Sequence, residues 1–536
     1  MSLFSVAKAD FFSFLIKKED LNMLQIKNLN ITHKKDLKDI IKDFNLSLNY
    51  GDKTVIIGEE GNGKSSILKW LYSPNLIKDY AEFNGELIST NEKLAYLPQE
   101  LSSIDKEKSV YEYFSEEPMF WEKSPKELSQ LASIFSFKSD IFYSEQKLSL
   151  LSGGERVKVQ MMKILITKPT VLLLDEPSND IDTTTLEWLE KFINDWEYIV
   201  IFISHDETLI ENTANMIVHI EQIKRKTESR YTIAKLNYND YVSERLNSFK
   251  KLEQLAANEK REKEIRDEKL NRVMQSVEHA QNTVSRQDPS TGRLLKKKMH
   301  VIKSMEKRFL KEDETMTQRP DYEDAIGLKL SSNIRPIPSG KIILDYHIDC
   351  LKSADGLKEL SRNIDLYIEG AEKICIVGDN GVGKTTLLKD IAKALINRED
   401  ISAIYMPQNY SDELDMSLTP IDYLDTSGDK AERTRIQTFL GSMKYTANEM
   451  SHSISELSGG QKAKILLLKI VLSDANVLLL DEPTRNFSPL SNPVIRSMLK
   501  EFKGAIISVS HDRKYINEVC EKVYVLTSNG LKLKTD

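Results

Sequence analysis

Five short motifs occur twice along this 536-residue chain, in the same order each time. The first set comprises GEEGNGKS (58–65), YLPQE (96–100), LSGGERVK (151–158), VLLLDEPSN (171–179) and FISHDE (202–207). The second set comprises GDNGVGKT (378–385), YMPQN (405–409), LSGGQKAK (457–464), VLLLDEPTR (477–485) and SVSHDR (508–513). Ser152 precedes Asp175 by 23 positions, and Ser458 precedes Asp481 by the same number. The repetition predicts two copies of one domain, arranged in tandem.

Each glycine-rich motif follows an apolar, β-branched run, KTVII or KICIV, of the kind found in buried parallel strands. Glycines let backbone N–H groups turn around a phosphate, and the helix that follows points its positive end at this anion. The pattern G-x-x-x-x-G-K-[ST] therefore predicts two nucleotide-binding loops. The predicted nucleotide contacts are Gly58, Gly61, Gly63, Lys64, Ser65 and Ser66 in the first copy and Gly378, Gly381, Gly383, Lys384, Thr385 and Thr386 in the second.

The run VLLLDE predicts another buried strand, with two carboxylates at its end. Asp175 and Asp481 suit Mg²⁺, a hard cation that prefers oxygen ligands, and the loop hydroxyls of Ser65 and Thr385 are predicted to share it. The next residues, Glu176 and Glu482, are placed to orient or deprotonate an attacking water. Two histidines, His205 and His511, recur 30 positions after the aspartates, which favours a functional role over a structural one.

These motifs resemble those of the ATP-binding cassette superfamily over about residues 23–236 and 340–536, and LSGGE and LSGGQ match its signature sequence. The resemblance implies an α/β fold with two P-loop cassette domains that pair head to tail around two ATP molecules. Signature residues Ser458, Gly459 and Gly460 would then complete the site at Lys64. The signature residues Ser152, Gly153 and Gly154 would complete the site at Lys384. By the same resemblance, Gln99 and Gln408 sense metal and water, and His205 and His511 contact the γ-phosphate.

One departure from the family pattern separates the two copies. Asp182 stands where the family's interface loop has aspartate, whereas the second copy has Ser488 there. The two sites are therefore expected to be unequal. The aromatic residue that stacks on adenine is not evident, and His33 and Tyr346 are the candidates.

The segment between the copies has its own charge and hydrophobic pattern. Residues 241–320 hold 19 basic and 13 acidic residues, so this segment is positive while the whole chain has a formal charge of −7. One helical stripe begins with Leu246, Phe249, Leu252 and Ala256, and a second comprises Leu295, Met299, Ile302, Met305 and Phe309. RQDPSTG (286–292) separates them, with Pro289 and Gly292 as breakers.

This pattern predicts a helical hairpin with a basic tip, the tip lying near 284–298. Basic residues at a bend of an otherwise acidic protein indicate a probe for a polyanion. The predicted RNA contacts are Arg286, Arg293, Lys296, Lys297 and Lys298. A solvated tether is the alternative, but a flexible tether would favour Gly, Ser or Pro over apolar stripes.

Composition excludes several other classes. No apolar run approaches the ~20 residues that a spanning helix needs, which predicts no membrane domain. The three cysteines show no C-x-x-C spacing, so neither a zinc site nor a disulfide framework is expected, in keeping with a reducing cytoplasm. A strand-like run, MLQIKNLNI, starts at Met23, and residues 1–22 are expected to be a dispensable extension or to precede the true start.

Tandem cassettes without a membrane segment, separated by a charged helical linker, resemble the ABC-F family, and DEPTRNFSPLS (481–491) resembles its antibiotic-resistance members. The resemblance implies a cytoplasmic ATP hydrolase with ATP and Mg²⁺ as cofactors, active as a monomer through intramolecular cassette pairing. Its partner would be a bacterial-type ribosome, bound at the tRNA exit site, with the linker reaching large-subunit rRNA and tRNA. Bound there, it would protect the peptidyl-transferase centre from antibiotics, and hydrolysis would release it.

Two other functions stay open: a housekeeping ABC-F translation factor, and the ATPase subunit of a transporter. The antibiotic class is not predicted. The expected domains are the extension 1–22, the first cassette 23–236, the hairpin linker 237–325 and the second cassette 326–536.

Overall fold

The computed structural model describes residues 23–89, 91–223, 226–283, 289–314, 316, 336–353, 356 and 358–534. The described residues up to Tyr238 and those from 336 onward form one compact unit, and those between Asn239 and Tyr322 form a second. The predicted extension 1–22 lies outside the described residues, as do 284–288 of the predicted tip. None of the described helices is long and apolar enough to cross a membrane.

The strands of the first copy are β1 (Met23–His33), β2 (Asp39–Asn49), β3 (Lys53–Ile57), β4 (Ala81–Ser89), β5 (Leu94–Leu97), β6 (Val171–Asp175), β7 (Ile199–Ile203), β8 (Met216–Ile223) and β9 (Glu228–Ala234). Six of them form a sheet in the order β5-β6-β7-β3-β8-β9, in which only β9 is antiparallel to its neighbour. A three-stranded antiparallel sheet, β2-β1-β4, accompanies it. The helices are α1 (Lys64–Tyr72), α2 (Ser103–Glu107), α3 (Val110–Ser115), α4 (Pro118–Trp121), α5 (Pro125–Ile134), α6 (Gly153–Ile166), α7 (Thr183–Asp195) and α8 (Glu207–Thr213).

Between the copies, α9 (Tyr238–Thr283) and α10 (Pro289–Glu314) follow each other along the chain. The strands of the second copy are β10 (Ile342–Lys352), β11 (Glu359–Glu369), β12 (Lys373–Val377), β13 (Ala403–Met406), β14 (Val477–Asp481), β15 (Ala505–Val509), β16 (Lys522–Thr527) and β17 (Gly530–Leu533). They repeat the architecture of the first copy, with a six-stranded sheet β13-β14-β15-β12-β16-β17 and an antiparallel pair β10-β11. The helices of the second copy are α11 (Lys384–Ile396), α12 (Pro420–Leu424), α13 (Lys430–Ser442), α14 (Ala447–Ser451), α15 (Gly459–Leu472), α16 (Asn492–Glu501) and α17 (Arg513–Val519).

The motif-bearing strands lie at the centre of each sheet. Every residue of β3, β6 and β7 is buried, as it is in β14 and β15, which explains why these strands read as continuous apolar runs. Neighbouring parallel strands end at the same edge of a sheet, where ligands of open α/β sheets bind. The glycine loop after β3, the carboxylates after β6 and His205 after β7 therefore meet at one edge. The predicted α/β fold class with two tandem P-loop cassettes is confirmed.

The second unit is a helical hairpin with a small apolar core. Val277 of α9 and Leu295 and Ile302 of α10 are buried against each other. Further along, Arg266 donates to Asp313 Oδ1 at 2.6 Å and lies 4.4 Å from the ring centre of Phe309. These contacts show that α9 and α10 pack side by side rather than forming a loose tether.

Three details of the hairpin differ from the sequence-based expectation. Gly292, predicted to break the helix, lies inside α10. Pro289 is the first residue of this helix, a position that proline tolerates because an N–H group there would have no acceptor within the helix. The stripe at the start of α9 is only partly a core stripe, since Leu246 and Leu252 are exposed and Ala256 is buried. Met305 of the second stripe is also exposed.

Replacing Ile302 with alanine should loosen this hairpin. The side chain is only 5% exposed, and removing its buried carbons should cost roughly 2–4 kcal/mol. Hydrogen exchange at the amides of 270–283 and 295–305 would report faster opening. Met305→Ala, on the exposed side of the same helix, is the matched control, and equal loss of protection in both variants would contradict this core.

Candidate functional site

The two glycine-rich loops share one backbone geometry. Gly58 and Gly378 have φ values of 146° and 153°, which side-chain-bearing residues rarely adopt. A Cβ atom at Gly58 would lie 2.2 Å from the carbonyl oxygen of Ile220, and one at Gly378 would lie 2.4 Å from that of Leu526. Both positions therefore need glycine to let the loop pass the neighbouring strand. The next elements, α1 and α11, begin at the motif lysines.

Each motif lysine is held over its own loop. Lys64 Nζ donates to the carbonyl oxygens of Gly58 at 2.8 Å and Glu59 at 3.0 Å. Lys384 Nζ makes the same pair of bonds, to Gly378 at 2.8 Å and Asp379 at 2.9 Å. Burial lowers the pKa of Lys384, and nearby carboxylates, Glu482 first among them, oppose this effect. Each ammonium group thus stands at a helix N-terminus, where it can meet an anion.

The predicted metal ligands come together in both copies, with different partners. Ser65 Oγ donates to Asp175 Oδ1 at 2.9 Å, and Tyr96 donates to the other oxygen at 2.9 Å. Asp481 is 1% exposed, and among the described residues neither of its oxygens accepts a hydrogen bond of good geometry. Burial raises the pKa of Asp481 to about 6, against an opposing effect of the Thr385 hydroxyl.

A buried, unpaired carboxylate is costly unless a cation binds it, so the donor set of the second site fits Mg²⁺. No group of three or more His, Cys, Asp or Glu side chains arranged for a metal occurs within the described ranges. One carboxylate and one hydroxyl per site suit Mg²⁺, which usually keeps several waters and shares the phosphates of its nucleotide. Sequence reasoning missed Tyr96, although its counterpart Tyr405 repeats in the second copy of that motif.

The predicted bases, Glu176 and Glu482, share an unusual backbone conformation. Their φ values are 50° and 53°, in the left-handed region that costs a non-glycine residue roughly 1–3 kcal/mol. Their N–H groups donate to Ile203 at 3.1 Å and Val509 at 2.9 Å on the neighbouring strands, which holds the turns in place. Strain kept at the same position of both copies indicates a functional constraint.

At the first site, His205 links the two copies. His205 Nε2 lies 3.0 Å from Glu176 Oε1, close enough for an ion pair though not aligned as a hydrogen bond. The other ring nitrogen, Nδ1, is 2.6 Å from the carbonyl oxygen of Phe487 in the second copy. Burial raises the pKa of Glu176, but His205 and then Lys64 outweigh it, so the net shift is downward.

At the second site, the equivalent pair is farther apart. His511 Nε2 lies 4.0 Å from Glu482 Oε1, and Glu482 Oε2 instead accepts from Ser510 Oγ and the His511 N–H, each at 3.3 Å. Burial and the adjacent Asp481 raise the pKa of Glu482 to about 7. Burial and Lys384 lower the pKa of His511 to about 4. The two candidate bases therefore differ in protonation near neutral pH.

The second site is a cleft shared between the copies. Its volume is about 510 Å³, within the usual range for small-molecule sites. It is lined by Gly153 and Arg156 of the first signature motif and, from the second copy, by Gly381, Gly383, Lys384, Thr385, Thr386, Gln408, Asp481, Glu482 and His511. The structure thus brings most of the residues predicted for this site together, including both halves.

The first site is closed by direct contact between the copies. The Gly460 N–H, at the start of α15, donates to the Glu60 carboxylate in the first glycine loop. Lys464 Nζ lies 2.8 Å from Glu59 Oε1. The space left beside these contacts is only about 20 Å³. Gln99 and Glu176 lie together in a separate cleft of about 200 Å³.

The signature serines cap their own helices. Ser152 Oγ accepts from the Glu155 N–H, and Ser458 Oγ accepts from the Gln461 N–H, each within a complete capping box. These caps fix the direction in which the N-termini of α6 and α15 point. Gly153 and Gly459 begin the two helices, and Gly154 and Gly460, which follow them, are buried.

The Asp182/Ser488 difference changes local structure. Asp182 Oδ1 accepts from the Thr185 N–H at 2.8 Å and so caps α7, which begins at the next residue. Ser488 is buried, with its hydroxyl 3.2 Å from that of Ser491, and α16 begins only at Asn492. The negative charge of Asp182 works to raise the pKa values of Lys384 and His511 in the other copy. The uncharged Ser488 cannot have this effect at the first site.

The remaining predicted residues lie as follows. Ser353 and Leu360 line the second cleft, and Tyr346 is not among its lining residues. His33 Nδ1 is 2.8 Å from Asp36 Oδ1. All four described basic residues of the tip are exposed: Arg293, Lys296, Lys297 and Lys298. Arg286 lies outside the described residues.

Comparison with known proteins agrees with the fold. The ABC transporter family model matches residues 41–179 and 361–485. Ribosome protection protein VmlR of Bacillus subtilis (strain 168) is 27% identical over 515 residues, which cover 94% of this chain and 87% of that protein. ABC transporter F family member 4 of Dictyostelium discoideum is 24% identical over 92% of this chain and 44% of its own length.

A solved structure shares the fold at low identity. The crystal structure of the complex of archaeal ribosomal stalk protein aP1 and archaeal ribosome recycling factor aABCE1 matches with a TM-score of 0.57 and 16% identity. The match covers 94% of this chain and 89% of that one. At this identity the likeness shows the fold alone.

The two sites should respond differently to pH. A base must be deprotonated to act, and a pKa of about 7 at Glu482 means that its active fraction rises about tenfold between pH 6 and 8. In a Glu176→Gln variant, which leaves only Glu482, the rate of ATP hydrolysis should rise severalfold across this range. In a Glu482→Gln variant it should change little, because the pKa of Glu176 is lowered. Identical pH profiles for the two variants would contradict the difference.

Proposed function

We propose that this chain, which belongs to the ABC-F family of ATP-binding cassette proteins, binds ribosomes in its ATP-bound form and protects them from antibiotics that act at the peptidyl-transferase centre. ATP hydrolysis is the activity of its paired cassettes. The observation that carries the proposal is the basic end of α10, where four exposed cations lie within six residues on a packed hairpin that follows the first cassette in the sequence. The similarity to VmlR, a ribosome protection protein, supports the same partner.

We assign the nucleotide sites as the motifs predict. Lys64 and Lys384 bind the phosphates, and the signature residues of the opposite cassette complete each site. Ser65, Asp175 and Gln99 would hold Mg²⁺ at the first site, and Thr385, Asp481 and Gln408 would hold it at the second. The bound ion would neutralise charge that develops on the phosphates. Glu176 and Glu482 orient or deprotonate the water, and His205 and His511 contact the terminal phosphate.

Several cross-cassette contacts lie beside these sites, and they support a clamp that closes with nucleotide. Asn380 Nδ2 donates to the Asp180 carbonyl at 2.7 Å, and Arg485 pairs with the Asp180 carboxylate at 2.9 Å. His205 reaches the Phe487 carbonyl from the other side. Since the loop of each cassette contacts the other cassette, nucleotide binding at a loop is coupled to the pairing of the two. Intramolecular pairing makes the single chain the functional unit.

The tip is proposed to contact large-subunit rRNA and tRNA. Residues 241–320 are positive within a chain of net charge −7, so the rest of the chain repels the polyanion that the hairpin attracts. RNA recognition of this kind relies on phosphate contacts and shape more than on base reading. A ribosomal partner places the protein in the cytoplasm. Protection follows if the tip displaces the drug directly or shifts the tRNA and rRNA around it.

The double variant Glu176→Gln/Glu482→Gln should trap the ATP-bound form. Each substitution removes a base and keeps the shape of the side chain, so turnover should fall at least about a hundredfold while ATP stays bound. Sucrose-gradient sedimentation with ATP should then show this variant migrating with 70S ribosomes. Hydrolysis at a near parental rate would remove both residues from the base role.

The tip should supply salt-dependent affinity. In the trapped double variant, Lys296, Lys297 and Lys298 changed to alanine should weaken ribosome binding and flatten its dependence on log salt by about 0.7–0.9 per lost phosphate contact. In the hydrolysis-competent protein, the same three substitutions should leave ATP hydrolysis off the ribosome unchanged. Lys303, Lys307 and Lys311, which are exposed on the same helix away from its start, provide a control with the same change in charge.

The same tip variant separates the candidate functions. With hydrolysis-competent protein, in vitro translation with peptidyl-transferase inhibitors should lose protection in the tip variant and keep it in the control variant. Protection by both would reduce the hairpin to a tether. Ribosome binding by the parent without protection from any inhibitor would indicate a housekeeping translation factor. Sedimentation without ribosomes would leave the transporter ATPase.

A further inference from the structure

The two glycine loops differ at two positions that face the opposite signature helix. The first loop has Glu59 and Glu60 where the second has Asp379 and Asn380. Glu60 is exposed over part of its surface, yet one carboxylate oxygen accepts the N–H of Gly460. A Cβ atom built at Gly460 would lie 2.9 Å from that oxygen, which shows how closely it approaches the helix.

A second contact fastens the same loop to the same helix. Lys464, one turn further along α15, pairs with Glu59 at 2.8 Å, and their side chains are only 12% and 14% exposed. The two acidic residues therefore act together, one on the backbone at the helix start and one on a lysine behind it. Both are held by the second cassette although they belong to the first.

The second site lacks this arrangement. Asn380, the counterpart of Glu60, donates its amide to the Asp180 carbonyl. Lys158, the counterpart of Lys464, lies over the ring of Trp188 at 5.5 Å from its centre. The space between the halves is about 510 Å³ there, compared with about 20 Å³ beside the contacts of Glu59 and Glu60.

The first N–H groups of a helix have no partner within the helix, and the helix dipole adds positive potential at this end. An anion is therefore the natural ligand of Gly460, and Glu60 supplies one from within the protein. In the proposed function, Gly460 and the other signature residues complete the site at Lys64, four residues from Glu60, so the same N–H would face the terminal phosphate of the bound nucleotide. Carboxylate and phosphate are both negative, so they compete for this place and repel each other.

We propose that Glu60 is an affinity-determining residue of the first nucleotide site: an internal anion that the terminal phosphate of a nucleoside triphosphate must displace from the N-terminus of α15. The inference rests on the proposed function, in which the loop at Lys64 binds nucleotide. It follows that the first site binds ATP more weakly than the second. Nucleoside diphosphate, which has no terminal phosphate to place at Gly460, is not subject to the competition.

The test isolates the first site. Lys384→Ala in the Glu176→Gln/Glu482→Gln protein removes phosphate binding at the second site and prevents turnover. In this background, equilibrium dialysis with radiolabelled ATP and Mg²⁺ compares Glu60→Asn and Glu60→Gln with the parent. Both substitutions should lower the Kd for ATP about tenfold, equivalent to about 1.4 kcal/mol, and change that for ADP less than twofold. Glu86→Gln, an exposed carboxylate on β4 of the same cassette, should change neither.

The reciprocal change provides an independent arm. In a background with Lys64→Ala in place of Lys384→Ala, Asn380→Glu should weaken ATP binding at the second site about tenfold. Unchanged ATP affinity in both Glu60 variants, or equal tightening of ATP and ADP, would overturn the role of Glu60. If Lys64→Ala in the first background leaves ATP binding unchanged, the nucleotide assignment of the first loop fails, and the inference fails with it.

Discussion

Neither candidate site can be assembled within one cassette, and this requirement shapes the whole interface between the copies. The glycine loop, the aspartate predicted to bind metal and the candidate base come from strand ends of one sheet, and the signature helix comes from the other cassette. Two helix N-termini therefore have to be aimed across an interface. The capping boxes at Ser152 and Ser458 fix where α6 and α15 begin, so the direction of each helix is set by local sequence before the cassettes meet.

Buried charge then determines how the cassettes meet. Arg496 of α16 is 3% exposed and forms two bonds to the carboxylate of Glu207 in α8, which Lys514 also approaches at 3.2 Å. Burial raises the pKa of Glu207, and Arg496 opposes this effect. Such pairs contribute little net stability against apolar packing, but breaking one leaves an uncompensated buried charge. These ion pairs therefore favour one arrangement of α8, α16 and α17 over others.

Much of this arrangement was predictable, and the exceptions have physical reasons. Repeated motifs at fixed spacing predicted both strand-end clusters because parallel strands end at a common edge, and the confirmed fold class follows from the same pattern. The roles of the site residues stay predictions. The opposite pKa shifts of Glu176 and Glu482 could not be predicted, because they depend on how the folded chain surrounds each carboxyl: His205 outweighs burial at Glu176, whereas Asp481 adds to the effect of burial at Glu482. The contact between Glu60 and Gly460 was not predicted, because Glu60 stands at a position where the pattern G-x-x-x-x-G-K-[ST] accepts any residue.

The asymmetry between the sites also bears on how a two-state clamp would move. An equilibrium shifts only by the difference in a ligand's affinity for its two states. At the first site, Glu60 and Glu59 already supply anionic contacts to α15. Exchanging triphosphate for diphosphate therefore changes the interaction between the loop and α15 less than it changes the corresponding interaction at the second site. At the second site, no carboxylate of the described loop takes this place, and the interaction with α6 depends on the nucleotide. On this proposal the first site stays closed like a hinge, and the free energy of ATP binding drives mainly the closure of the second cleft.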